Sequence, residues 1–430
     1  MDLWEKFRQF QERTQRAGEQ MHQRPHPGGQ PEHPARVGIE LRPEAREKDL
    51  RREVEAVLGL EREDTPAGPC YFREVHYPAS HRHGHLTLGS FLALPPEGLG
   101  ILALPPVALP PPSWAFLDTE TTGLQGGPGT IVFLCGLAYF AGGNLVLRQY
   151  LAPDPTAEPA LICSVLRDIG RFSGLVSFNG KAFDWPLIRD RVVLARQIIP
   201  PDPVHADLLF AARWLFRSRL SSCRLCNLEA EILRCPREDD IPSELIPEVY
   251  RAYLRGAPAN TLAPVLEHNR RDLLTLVVLA CRLLSPWLQA EQAEPEELYG
   301  LARMLWARGY ASEAVSLWER AVARLPRVLA ARAGEELGRI YRRQGRPHEA
   351  ARIWQAVAGD DPLAHPGPLV ELAKYYEHTA RDLEAARQWT LRALDAARAR
   401  AALHASPVRG ASPAELLHRL RRLERKLATR

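Results

Sequence analysis

Lysine is scarce in this chain: five lysines stand against 51 arginines in 430 residues, and methionine appears only three times. No run of 18 apolar residues occurs, which excludes an ordinary membrane-spanning helix. The opening MDLWEKFRQFQERTQ is charged and unlike a secretory leader, so the expectation is a cytoplasmic protein with no membrane partner. Charge of one sign is not in large excess either. The net +4 does not by itself point to nucleic acid. Seven cysteines, an odd number scattered along the chain, fit reduced thiols better than a disulfide framework. Cys223 and Cys226 form a C-x-x-C with Cys235 further on, but a zinc site would need a fourth ligand at suitable spacing. Structural thiols are the plainer reading.

What the chain does have is normal for a soluble globular protein, 45% hydrophobic and 25% charged residues. Its length predicts two or three domains. The arginine bias and 37 prolines suit a thermophilic or high-GC bacterium.

Residues 1–49 are rich in Gln, Arg, Pro and Gly and carry no sustained apolar period. They read as a short helix over Leu3 to Gln15 and then a flexible arm. Residues 50–112 hold the strand-like CYFREVHYP and HLTLGSFLAL and end in the Pro-rich LPPPS, a small β-containing element and stiff connector. Its His81, His83 and His85 could ligate a metal from one strand face, although a solvated loop or strand edge accounts for them as well.

Residues 113–290 predict an α/β domain. WAFLD, IVFLCGLAYF and LVLRQYL are three strands joined by Gly-rich turns, and alternating helices and strands follow them. That is the order of a ribonuclease-H-like fold with a mixed sheet. Residues 291–430 predict all-α helical repeats and a basic C-terminal helix. Leu301, Leu337 and Leu372 open three units, followed at fixed offsets by Gly309, Gly345 and Ala380, then Ala314, Ala350 and Ala385, then Trp318, Trp354 and Trp389. Small residues at helix crossings with an aromatic in the groove define a helical-hairpin repeat of tetratricopeptide type. Such repeats offer a surface for a protein partner.

Four acids stand out by position. Asp118 and Glu120, in L-D-T-E-T-T-G-L, follow a buried strand directly. A D-x-E pair at a strand end points two carboxylates the same way, and a divalent cation is the simplest relief of their repulsion. Oxygen-only donors suit Mg²⁺ or Mn²⁺. Asp184, in S-F-N-G-K-A-F-D-W, begins a helix after a strand and a turn, a place fit for either an N-cap or a metal ligand. Asn179 and Lys181 beside it offer contacts to phosphate or sugar. His268 and Asp272, in E-H-N-R-R-D-L-L, lie four apart on one helix face. Alone, they read as an ordinary surface pair.

Together and in this order, the three motifs resemble the DEDD superfamily of 3′→5′ exonucleases, most closely the bacterial YprB-like ribonuclease-H-like proteins. The likeness runs over about residues 113–285, carried by FLDTETTGL, SFNGKAFDWPLI and HNRRDLLTL. It implies a two-metal-ion hydrolysis of phosphodiester bonds in single-stranded DNA or RNA, with two Mg²⁺ or Mn²⁺ held by Asp118, Glu120, Asp184 and Asp272. By the same resemblance His268 orients or deprotonates the attacking water. His268 stands where one branch of the superfamily has tyrosine, which leaves the identity of the general base open. Thr121 and Leu124 would meet the terminal nucleotide by analogy.

Arg213 and Arg217, with Arg219, Arg224 and the interleaved Trp214 and Phe216, suit backbone contact and base stacking on a single strand. They suit a solvated helix face over a core equally. Two other functions compete: a helical-repeat scaffold whose nuclease-like domain is inactive, and a structure-selective endonuclease of the same fold.

Overall fold

The computed structural model describes residues 43–104, 106–123, 129–358, 365–404, 408 and 410–429. The helix expected over Leu3 to Gln15, and Leu124, lie outside them. Two compact units result: one runs through Phe210 and resumes over Cys223–Leu284, and the other comprises Ala211–Ser222 and the chain from Ser285 onward.

The first unit begins with α1 (Pro43–Leu58), β1 (Glu61–Thr65), β2 (Gly68–Tyr77) and a minimal hairpin of β3 (Arg82–His83) and β4 (Leu86–Thr87). Then come α2 (Pro96–Leu102) and β5 (Ala103–Leu104), followed by the meander β6 (Trp114–Thr121), β7 (Val132–Ala141) and β8 (Asn144–Leu151). After it the chain alternates: α3 (Glu158–Ile169), β9 (Gly174–Ser177), α4 (Asp184–Leu194), β10 (Val204–Asp207) and α5 (Leu208–Phe216). Short α6 (Leu225–Leu228) and α7 (Ile246–Leu254) lead to the long α8 (Ala263–Leu288).

Eight strands form one sheet in the order β1-β2-β8-β7-β6-β9-β10-β5. β6, β7 and β8 pair antiparallel, whereas β9 runs parallel to β6 and β10 parallel to β9. The mixed ribonuclease-H-like sheet expected from the strand and helix order is therefore present. The segment before residue 113 adds to this same sheet: β2 pairs with β8 at one edge and β5 with β10 at the other.

The sequence explains why β6 and β7 are central. WAFL and VFLCGLAYF are buried on both faces, as a strand covered by helices on each side must be. One face packs Leu117, Cys135 and Leu137 against Leu161, Val165 and Ile188 of α3 and α4. The other packs Leu134 with Tyr250, Val265 and Leu266 of α7 and α8. Phe133 stacks on Tyr250 with centroids 4.0 Å apart, and the Tyr250 hydroxyl donates to the Ala152 carbonyl at 2.8 Å. The acid-bearing end of β6 is thus fixed from both sides.

The second unit is helical. Hairpins α9 (Pro295–Ala307) with α10 (Ala311–Val322), α11 (Arg327–Arg343) with α12 (Pro347–Ala358), and α13 (Pro366–His378) with α14 (Leu383–Ala402) are followed by α15 (Pro413–Ala428). Trp318 and Trp354 are buried, as are Ala314 and Ala350. A Cβ on Gly338 would lie 2.2 Å from Trp354 Nε1, so glycine there is what admits the tryptophan.

The third hairpin departs from the sequence alignment by one residue. Gly309 and Gly345 turn the first two hairpins at φ +88° and +76°, but Arg381, not Ala380, takes the left-handed conformation in the third. The buried positions shift with it to Ala386 and Thr390, and Trp389 is only half-buried beneath Arg392. An extra turn residue moved the register.

Candidate active site

Strand alternation puts Asp118 and Glu120 on the face of β6 that α8 covers. Asn269 of α8 is fully buried, and its Nδ2 donates to Asp118 Oδ2 at 2.7 Å while Gln149 Nε2 donates to its Oδ1, also at 2.7 Å. This contact needs Gly136, the cross-strand partner of Asp118, because a Cβ there would lie 2.4 Å from Asn269 Oδ1. The register with β7 shifts between Glu120 and Thr121, and such irregularities commonly re-aim side chains beside active sites.

Asp184 opens α4 and is buried, and it accepts a short hydrogen bond from the Thr119 hydroxyl. The N-cap position of this helix is Phe183, whose side chain makes no cap bond. The turn before it is held by Asp207, which accepts from the backbone N–H of Asn179 at 2.8 Å and of Lys181 at 3.2 Å. Asn179 sits at φ +67°. Asn179 and Lys181 both face solvent, free to contact a ligand. The Thr121 hydroxyl is turned inward and donates to Gly123 O at 2.7 Å.

From α8, His268 and Asp272 complete the group. His268 Nε2 lies 3.9 Å from Glu120 Oε1 and 3.8 Å from Asp272 Oδ2. Its Nδ1 meets Asp240 Oδ2 at 2.9 Å, so the neutral ring donates to Asp240 and leaves Nε2 as the acceptor facing the acids. The pair is not the surface pair it resembles in isolation: His268 is buried.

Burial raises Asp118 well above the usual carboxylate range, and the charges of Asp272 and Asp184 raise it further. Glu120 is raised by the same two effects, burial first and then the charge of Asp118. Burial lifts Asp184 to about 6, partly offset by the Thr119 hydroxyl. Burial disfavours a charged His268, but Asp272 and Asp240 outweigh it and hold its pKa above the ordinary value. Like charges are thus crowded in a buried place, a repulsion that a cation would relieve.

Sequence reasoning missed the group behind it. Arg237 bonds Glu229, Asp240 and Asp272 at once, and its Nη1 lies 3.3 Å from His268 Nδ1. Glu229 is fully buried and also accepts from Thr275. Both arrive through a π-helical turn at Glu229–Leu233 and a left-handed Arg234, which no periodicity announces. Asn269 was readable in principle, since it stands between His268 and Asp272 in the same motif.

As donors, these carboxylates fit a hard divalent cation. Even so, among the described residues no three His, Cys, Asp or Glu side chains are drawn together as a metal shell. Each of three acids is instead engaged by a protein donor: Asp118 by Asn269, Asp184 by Thr119, Asp272 by Arg237.

The remaining candidates lie elsewhere. Arg213 and Arg217 are exposed residues of the second unit, where Phe216 is core and Trp214 is partly exposed. His83 Nε2 meets Thr275 at 2.8 Å and His85 Nδ1 meets Leu233 O at 3.0 Å, so they do not converge. Cys223, Cys226 and Cys235 are free thiols. No helix among the described residues is long and apolar enough to cross a membrane.

Comparison with known proteins agrees with this fold. Residues 115–284 match the RNase_H superfamily model, so the sheet and its helices define a ribonuclease-H-like, nuclease-type fold. An uncharacterized protein of Bacillus subtilis (strain 168), YprB, is 33% identical over 331 residues, spanning 74% of this chain and 79% of that protein. The chain belongs to the YprB family. A solved structure, the family B DNA polymerase of Pyrobaculum calidifontis, aligns at 14% identity and a TM-score of 0.32, covering 63% of this chain and 30% of the polymerase. That likeness is too slight to carry an argument.

Proposed function

We propose that the protein is a metal-dependent 3′→5′ exonuclease acting on single-stranded nucleic acid. The observation that carries this reading is the convergence of Asp118, Glu120, Asp184 and Asp272 beside a buried histidine, with burial raising the pKa of Asp118, Glu120 and Asp184. A fold stabilises such a cluster poorly unless a cation joins it.

Asp118, Glu120, Asp184 and Asp272 would hold two Mg²⁺ or Mn²⁺. The ions would neutralise the scissile phosphodiester and favour a nucleophilic water. The chain's own residues supply the rest. Asn269 fixes the Asp118 carboxylate. Asp240 holds the His268 ring through Nδ1, leaving Nε2 as the base for the attacking water's proton. Arg237 anchors Asp272 and Asp240 together, so the base and one ligand move as a unit. Asn179 and Lys181 are exposed beside Asp184, suited to the phosphates on either side.

The test is cleavage of 5′-labelled single-stranded DNA and RNA in Mn²⁺, Mg²⁺ or EDTA. A metal-dependent ladder receding from the 3′ end supports the proposal and selects the sugar. A single internal cut would favour the endonuclease. No cleavage, with no metal binding by calorimetry, would favour the scaffold.

A further inference from the structure

A groove lying wholly within the second unit takes no part in the acid cluster. It is lined by Trp214, Trp306, Trp318 and the guanidinium groups of Arg303, Arg339 and Arg343. Trp318 is core, but Trp214 keeps 36% of its surface exposed. Arg303 lies 5.0 Å from the Trp214 ring centroid, and the Trp306 and Trp318 rings sit 6.0 Å apart. One acid shares the lining, Glu336, 3.6 Å from Arg303 Nε. Arg339 reaches Glu335 and lies 3.8 Å from Glu371, with 44% of its side chain exposed. Arg343 is exposed, and its side chain has no hydrogen bond or ion pair with any described residue.

The groove one repeat on is lined by Arg342, Lys374 and Arg419 with the single acid Glu371, and its tryptophan, Trp354, is buried. There the buried Glu371 pairs with Arg342, with Lys374 at 2.9 Å and with Arg339 at 3.8 Å, and Arg419 meets Glu377 at 2.8 Å. The first groove keeps a surplus of positive charge next to an exposed indole. Folding alone explains neither, since an exposed tryptophan forfeits apolar burial and an unpaired arginine gains nothing from the fold.

We propose that this groove binds single-stranded nucleic acid, with a base against Trp214 or Trp306 and neighbouring phosphates on Arg339 and Arg343. Planar aromatic faces beside guanidinium groups recognise a π-face and an anion together, without regard to sequence. An acidic peptide would use the arginines and leave the indole faces idle. Preference for nucleic acid over peptide rests in part on the nuclease reading, whereas the existence of an anion-and-ring site does not.

The experiment uses the full-length protein in EDTA with a fluorescein-labelled, single-stranded homopolymer carrying 5-bromouracil. Binding is followed by polarisation, and ultraviolet crosslinks are mapped by mass spectrometry. The expected result is crosslinks on the tryptic peptides bearing Trp214 or Trp306. Trp214→Ala and Arg343→Ala should each weaken binding about tenfold, and Arg343→Ala should also flatten the salt dependence. Both side chains are at least partly exposed, so unchanged melting temperatures should confirm that the variants fold. Unchanged affinity in both variants, with crosslinks confined to the first unit, would overturn the proposal. So would a glutamate-rich peptide of equal charge that binds where the oligonucleotide does not. Crosslinks at these tryptophans in a protein that fails to cleave would support the groove and count against the nuclease reading alone.

Discussion

Replacing Asp184 with Asn should stabilise the metal-free protein at alkaline pH. The Asp184 carboxyl sits at about 6 in the folded protein against an ordinary 3.8. A proton held more tightly in the folded state favours folding below the unfolded pKa, and that contribution is lost as pH rises through the folded one. At pH 8 the ionised group therefore costs about 3 kcal/mol, at 1.36 kcal/mol per pH unit. Asparagine can still accept from Thr119, but losing the charge-assisted character of that bond gives back about 1 kcal/mol. A net gain of about 2 kcal/mol raises the melting temperature by about 4–8 °C for a domain of this size. Differential scanning calorimetry in EDTA at pH 8 and pH 4.5 measures it. The advantage should shrink to less than half at pH 4.5 and vanish when Mn²⁺ is added, because the cation then relieves the wild-type carboxylate. A variant less stable than wild type by the same amount at both pH values would refute the picture of uncompensated buried charge.

Replacing Arg237 with Met strands the fully buried Glu229 and should cost about 3–5 kcal/mol in urea unfolding; a loss under 1 kcal/mol would mean the network is not structural. Gly338→Ala would press a methyl group onto Trp354 and should destabilise the helical unit by about 1–3 kcal/mol, measured as an early thermal transition with cleavage activity retained. For the metal-loaded protein, the rate should rise with pH as His268 loses its proton, whereas His268→Gln should run about 100-fold slower with no such rise. An unchanged pH profile in that variant would remove His268 from the role of base.

Much of this was legible because local chemistry and position coincide. D-x-E at the end of a buried strand admits one geometry, and the meander followed by alternating elements admits few sheet orders. Before residue 100, CYFREVHYP was legible as a strand, but HLTLGSFLAL gives only the two-residue β4 before a 3-10 turn at Leu88–Phe91, and β1 was not expected. Nor was the place of these strands in this sheet legible, because pairing partners such as Tyr71 and Leu151 are far apart in sequence. The Arg237 network was not legible for a related reason. Glu229, Arg237, Asp240 and Thr275 come from a π-helical turn, an irregular loop and a helix, and only folding brings them together. The third hairpin misled because tryptophan at position 389 imitates the period, while the added turn residue places Thr390 where Trp354 sits one repeat earlier.

The central claim is that the carboxylate cluster hydrolyses phosphodiesters with divalent metal. The initial rate of nucleotide release from a single strand in Mn²⁺, compared for wild type, Asp118→Asn and the exposed control Asp64→Asn, tests it most directly. The account predicts that Asp118→Asn loses about 100-fold or more and that Asp64→Asn, whose side chain is 80% exposed, keeps the wild-type rate. Equal rates in wild type and Asp118→Asn would contradict it.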